Sequence, residues 1–241
     1  VFCPGISFVA TANAIRYLNA QPYFIDIDRN TLCMSADALM SEIDKNCEFS
    51  KGHLKNKKNG RKISAIVIVN AFGNSPDISK ISKIAALFNL KLIEDAAGAF
   101  GSKYKDKTPG YFSDVATYSF NGNKIFTAGA GGLIVTNNDE VSEKVKHLGT
   151  TAKLPHAWDY IHDEVGFNYR LPNLNAALGC AQLDRLNEIL KRKRRLARAY
   201  QQAFEKVELL EDVQFEVLLM LKYTLHNPNN LPLVQLLMNK L

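Results

Sequence analysis

Residues 65–69 read Ala-Ile-Val-Ile-Val, and this short run constrains the fold more than any other segment. A strand with no polar face has to be covered on both sides, which is the condition met in a parallel sheet carrying helices on each face. The neighbouring segments supply those helices. In residues 77–88, Ile78, Ile81, Ile84, Ala85 and Phe88 fall on one side of a helix. Further strands are expected at residues 22–27, 91–94, 115–120 and 132–136, and short helices at 38–43 and 139–148. This alternation predicts an α/β fold with a mostly parallel sheet flanked by helices. Residues 173–206 read as continuous helix with a break near Leu186 and Asn187. From Glu208 on, the sequence is Leu-rich, turns at Asn227-Pro228-Asn229-Asn230, and reads as helical filler.

Bulk properties exclude several functional classes. A chain of 241 residues with 46% hydrophobic and 22% charged residues suits a soluble domain with a sizeable core. No apolar run approaches the roughly 20 residues of a membrane span. The start, Val1-Phe2-Cys3-Pro4-Gly5, has neither a Met nor a basic lead, so a fragment is expected rather than a signal peptide. Cys3, Cys33, Cys47 and Cys180 are scattered, as expected of reduced thiols in a cytoplasmic protein, and the histidines lack zinc-site spacing, so no metal is expected. The net charge of +6 gathers in residues 51–62 (KGHLKNKKNGRK) and 191–198 (KRKRRLAR). The first reads as a solvated loop and the second as the exposed face of an amphipathic helix. Neither is interleaved with aromatics, so no nucleic-acid partner is expected.

The chemistry concentrates elsewhere. Residues 92–97, LIEDAA, end a buried strand in an acid, placing Asp95 at the carboxyl edge of the sheet, where α/β proteins bind ligands. Next come YSFNGNK (118–124) and AGAGG (128–132), which put Lys124 on a small-residue loop straight after an apolar strand. An Asp and a Lys in this order suit pyridoxal 5'-phosphate: the acid keeps the pyridine nitrogen protonated, and the amine holds the cofactor as an imine and moves a proton. Taken singly, each element is open to a structural reading: a strand-end acid, a solvated lysine, a glycine turn.

Five stretches in order resemble the DegT-type sugar-nucleotide aminotransferases, which are fold type I pyridoxal-phosphate enzymes. They are ISFVATANAI, FIDID, IEDAAGAFGSKYKDKTPGYFSDVATYSFNGNK, AGAGGLIVTNN and GFNYRLPNLNAALGCAQL, and they span roughly residues 1–205. The resemblance implies that Lys124 carries the cofactor and Asp95 pairs with the pyridinium nitrogen. It implies that Ser119 binds the phosphate, Phe8 stacks on the ring, and Asn168 reaches a partner subunit's phosphate, with Arg170 beside it at the substrate. Core packing for Phe8 and loop ordering for Asn168 and Arg170 are the bland alternatives. Gly98 stands near the cofactor hydroxyl, where many relatives carry Gln, His or Glu. Residues 150–170 are similar, more narrowly, to enzymes that aminate C4 of UDP-4-keto-6-deoxy-N-acetylhexosamines on the way to bacillosamine or legionaminic acid.

The resemblance further implies glutamate as amino donor, a nucleotide-sugar substrate and a homodimer. It also implies a large cofactor domain over residues 1–172, a helical connection over 173–206 and an atypical tail, 207–241, in place of a small domain. A preceding segment with a phosphate-binding Gly-Ser/Thr turn is expected from the family and is missing before Val1. The rival readings are an inactive remnant that only folds or dimerises, and a same-family dehydratase, which would carry His in place of Lys124.

Overall fold

The computed structural model describes residues 1–204, so the expected tail over 207–241 lies outside the described residues. The chain divides into two compact units, one of Val1–Ser119 with Gly131–Pro172, the other of Phe120–Ala130 with the chain from Asn173 on.

The first unit is built on a six-stranded sheet. Its strands are β1 (Phe2–Pro4), β2 (Tyr23–Ile25), β6 (Ala65–Val69), β7 (Lys91–Asp95), β8 (Val115–Ser119) and β9 (Gly132–Val135). They lie in the order β2-β1-β6-β7-β8-β9, parallel throughout except for the final antiparallel β8–β9 pair. A smaller antiparallel sheet joins β3 (Cys47–Ser50), β4 (His53–Asn56) and β5 (Lys62–Ile63). The helices are α1 (Val9–Tyr17), α2 (Ala36–Asn46), α3 (Ile78–Leu87) and α4 (Asp139–Gly149).

The apolar run of β6 is explained by its two faces. Successive side chains of a strand point to opposite sides. Ile66 and Ile68 join Phe2, Ile25 and Leu92 in the main core, where α2 contributes Leu39 and Ile43 and α3 contributes Ile78, Ile81 and Ala85. Val67 turns the other way and packs with Cys3 and with Ile15 of α1. Helix ends follow local chemistry: Ser35 and Asp77 cap α2 and α3 by accepting from the N–H groups of Ala38 and Lys80, and Asn138 caps α4 through Val141.

This arrangement creates a switch point. From β1 the chain moves outward to β2 by way of α1, and from β6 it moves the opposite way to β7 by way of α3. Because α1 and α3 cover opposite faces, the switch point lies between β1 and β6 at the carboxyl edge, the place where open α/β sheets take ligands.

One expectation is corrected. Residues 51–62 are not a solvated loop: they contribute β4 and the start of β5 to the small sheet. The lysines of KGHLKNKKNGRK face solvent while Leu54 is 1% exposed and sits in the main core with Cys47 and Ile63. One buried residue per strand anchors the small sheet, a signal too sparse to outweigh the charge in the sequence. The structure also adds β1 and α1, which the sequence pattern leaves unassigned.

The second unit holds the loop Phe120–Ala130, α5 (Asn173–Asp184) and α6 (Leu186–Phe204). The helical stretch breaks at Arg185, one residue before the expected Leu186, and Arg185 pairs with Glu188. Among the described residues, no helix is long and apolar enough to cross a membrane.

Leu54→Ala is expected to lower unfolding stability by about 2–5 kcal/mol, the cost of a cavity in a packed core. Urea denaturation checks this, and a loss of only a few tenths of a kcal/mol would return residues 51–62 to the status of a loose loop.

Candidate active site

Asp95 is the last residue of β7, so the sheet delivers its carboxylate to the carboxyl edge beside the switch point. Each of its carboxylate oxygens has one hydrogen-bond donor. Its Oδ2 accepts from the Thr11 hydroxyl at 2.6 Å, and its Oδ1 accepts from the Ala97 N–H at 3.1 Å. Its backbone carbonyl accepts from the N–H of Asn70, the residue that follows β6, at 2.9 Å.

Behind Asp95 lies a charge that sequence reasoning passed over. Glu94 falls in register with Leu92, on the core side of β7, and is 2% exposed. An acid at that depth persists only with donors around it. Glu94 accepts from Asn70 Nδ2 at 2.9 Å, from the Gly110 N–H at 2.6 Å and from the Ser113 hydroxyl at 3.1 Å. The carboxylate therefore ties the end of β6 and the loop before β8 to the strand that bears Asp95. Burial, with Glu94's charge adding to it, pushes the Tyr118 phenol up to about 12, so the hydroxyl stays protonated and donates to the Pro109 carbonyl at 2.8 Å. The signal was present in KLIED: with Leu92 inward, strand alternation puts Glu94 inward too.

The other expected residues of this unit distribute as follows. Phe8 is the N-cap of α1, four residues past the end of β1, and is 77% exposed, so the core-packing alternative fails. Ser119 ends β8, paired in register with Gly132 of β9, at the same carboxyl edge as Asp95. A side chain at Gly132 would meet the Tyr118 carbonyl oxygen at 2.5 Å, which explains the glycine there. Gly98 is half-buried, and a Cβ added to it would meet nothing within 4 Å, so the space next to it is open.

Asn168 and Arg170 are both exposed, on a hairpin after α4. The hairpin is pinned to the end of α4 by Phe167 N–H to the Leu148 carbonyl (2.7 Å) and Tyr169 N–H to the Gly149 carbonyl (3.0 Å). Thr151 and Ala152 take positive φ values of 67° and 50°, unfavourable for residues with a Cβ, and close against Gly166. His147, Asp163 and Glu164 bring their polar atoms within 4.8 Å of one another, but His147 bonds Asp163 at 2.7 Å and Lys144 pairs with Glu164. This cluster is an ion-pair clasp on the hairpin. The hydrogen bond from His147 holds the Asp163 carboxyl below its ordinary value of 3.8. A depressed acid stabilises the folded hairpin above that value and loses its contribution as pH falls through the lower, folded one.

In the second unit, Lys124 is half-buried near the apex of the loop Phe120–Ala130. The loop closes on itself. Ala128 N–H and the Thr127 hydroxyl both donate to the Phe120 carbonyl, at 3.0 and 3.1 Å, and Phe120 meets Phe126 edge-on with centroids 4.6 Å apart. Asn175 of α5 donates to the Ala128 carbonyl at 2.6 Å. The Lys124 N–H donates to the Asn121 carbonyl at 3.0 Å, so its backbone is fixed as well.

A parallel sheet with an acid at its carboxyl edge, followed by a lysine on a braced loop, defines a class, and comparison with known proteins gives it a family. The model of the DegT/DnrJ/EryC1/StrS aminotransferase family matches residues 1–238, and the chain belongs to that family. It is 38% identical over 200 residues to the GDP-perosamine synthase of Escherichia coli O157:H7, covering 83% of this chain and 50% of the relative. It is 36% identical over 209 residues to a UDP-4-amino-4,6-dideoxy-N-acetyl-beta-L-altrosamine transaminase of Campylobacter jejuni, covering 86% and 51%. Among solved structures it is similar to Helicobacter pylori PseC, an aminotransferase involved in the biosynthesis of pseudoaminic acid, with TM-score 0.76 and 28% identity over 86% of this chain and 52% of that one. The chain thus spans about half the length of the curated relatives it matches.

Glu94→Ala is expected to cost about 3 kcal/mol in a urea melt, because it strands three donors, one at the end of β6 and two in the loop before β8. A surface-like loss of under about 0.5 kcal/mol would show that the network does not hold the strand end. In Gly166→Ala the added carbon would meet the Thr151–Ala152 peptide at 2.3 Å. Faster amide exchange at Thr151 and Phe167 is the expected signature, and unchanged exchange would contradict the clash.

Proposed function

We propose that this chain is the cofactor-binding part of a pyridoxal-phosphate-dependent aminotransferase that installs an amine on a nucleotide-linked 4-keto-6-deoxy sugar, with glutamate as donor. The observation that carries this reading is the Asp95 carboxylate, fixed at the carboxyl edge by Thr11 and Ala97 in a chain whose next braced loop presents Lys124.

The residues present fit such a cofactor. Asp95 is an acceptor suited to a protonated ring nitrogen, Phe8 offers an exposed aromatic face, and Ser119 lies at the end of the neighbouring strand with a hydroxyl suited to a phosphate. The open space at Gly98 leaves room beside the ring hydroxyl. When bound, the cofactor supplies an electron-accepting ring conjugated to the carbon that exchanges the amine. Asp95 would keep the ring nitrogen's proton in place. Lys124 would hold the cofactor through Nζ and would move the proton at the reacting carbon.

Asn168 and Arg170 are read as contributions to a second subunit's site. Their hairpin supports a homodimer, because Trp158, Tyr160 and Tyr169 are 87%, 80% and 78% exposed there, aromatic surface of the kind found at subunit interfaces. The sugar is the finest part of the reading. The relatives named above include one GDP-sugar and one UDP-sugar enzyme by name, and the similarity of residues 150–170 favours the UDP-linked N-acetylhexosamines.

Titrating the purified chain with pyridoxal phosphate, reducing with borohydride and mapping the labelled peptide tests the assignment. The pyridoxyl label is expected on Lys124, and Lys124→Ala is expected to abolish both the label and the visible absorption band. Labelling of another lysine, or a band that survives the substitution, would overturn the assignment.

A further inference from the structure

We infer that Thr11 is the positioning residue for the Asp95 carboxylate, an inference that rests on the cofactor reading above. Thr11 lies in the first turn of α1 and is 6% exposed, a buried hydroxyl on a helix that follows β1. Its Oγ1 lies 2.6 Å from Asp95 Oδ2, two strands away across the switch point. A carboxylate can only accept, so the single hydroxyl proton of Thr11 is committed to Asp95. Thr11 then has only lone pairs left to offer, and Ser7 Oγ, 2.7 Å away, is placed to donate to them. Ser7 Oγ is also 2.8 Å from the Phe8 carbonyl, so its one proton is divided between the two acceptors.

The consequence is rotational. With Oδ1 held by Ala97 N–H and Oδ2 by Thr11, the carboxylate cannot turn about its Cβ–Cγ bond without breaking a charge-assisted hydrogen bond. Held between Ser7 and Asp95, the buried hydroxyl is aimed before any ligand arrives. The same contact ties α1, and with it Phe8 at the helix start, to the end of β7. One hydroxyl thereby sets the acid and the aromatic relative to each other. A group that needs both, one at its ring nitrogen and the other at its face, meets them already in place.

The test compares Thr11→Val, which keeps the shape and removes the hydroxyl, with Thr11→Ser, which keeps the hydroxyl. Cofactor dissociation constants are measured for pyridoxal phosphate and for its 1-deaza analogue, in which carbon replaces the ring nitrogen. Thr11→Val is expected to weaken pyridoxal phosphate about tenfold, the value of one hydrogen bond to a charged group, and to weaken the deaza analogue far less. Thr11→Ser is expected to restore binding to within about twofold. Equal weakening of both ligands, or none of either, would overturn the role of Thr11 while wild-type binding keeps the cofactor reading intact. Failure of the wild-type chain to bind pyridoxal phosphate would instead sink the cofactor reading and the inference with it. A second readout needs no cofactor: the Asp95 carboxyl carbon resonance should move in Thr11→Val and return in Thr11→Ser, and a resonance unmoved by Thr11→Val would count against the contact.

Discussion

The Asp95 carboxylate depends on the parallel register of β6 and β7, and the rest of the candidate site depends on Asp95. Val69 pairs with Asp95 across that register, and the N–H of Asn70, one residue further, donates to the Asp95 carbonyl. The strand ends are therefore locked by main-chain bonds before any side chain acts. Glu94 reinforces the lock from inside by gathering donors from Asn70, Gly110 and Ser113, and Thr11 and Ala97 complete it from outside. A buried, fully bonded acid directly before a half-exposed one is a costly pairing unless the strand end has to be rigid.

Rigidity of that kind suits catalysis that works by prepositioned charge. A carboxylate that must keep a proton on a partner atom gains from having its orientation settled in advance, because no binding energy is then lost in ordering it. The lysine loop follows the same logic in its own unit. Lys124 is half-buried on a backbone fixed by Asn121, Phe120 and Asn175. The hairpin bearing Asn168 is braced too, by the His147–Asp163 and Lys144–Glu164 pairs, although its tip exposes Trp158 and Tyr160.

Much of this was legible in the residues. The strand at Ala65–Val69 was read to the residue because five apolar side chains in a row admit few alternatives, and the helix read over 77–88 from its periodicity is found at Ile78–Leu87. The position of Asp95 at a strand end was legible because an acid ending an apolar strand is conspicuous. What stayed hidden was whatever depends on distant partners. Thr11 meets Asp95 only after the chain has crossed two strands, and nothing local in ATANAI marks that threonine. The small sheet was missed because its lysines dominate the pattern while a single buried residue per strand, Cys47, Leu54 or Ile63, does the anchoring. Glu94 lay between these cases, readable from alternation but overshadowed by the acid beside it.

The central claim is that Asp95 holds a proton on the ring nitrogen of a bound pyridine cofactor. The most direct measurement is the nitrogen-15 resonance of pyridoxal phosphate labelled at the ring nitrogen and bound to this chain. The account predicts a resonance in the protonated pyridinium range at a pH where the free cofactor has lost that proton, and its shift to the unprotonated range in Asp95→Asn. A ring nitrogen that is unprotonated in the wild-type chain, or one whose resonance ignores Asp95→Asn, would contradict it.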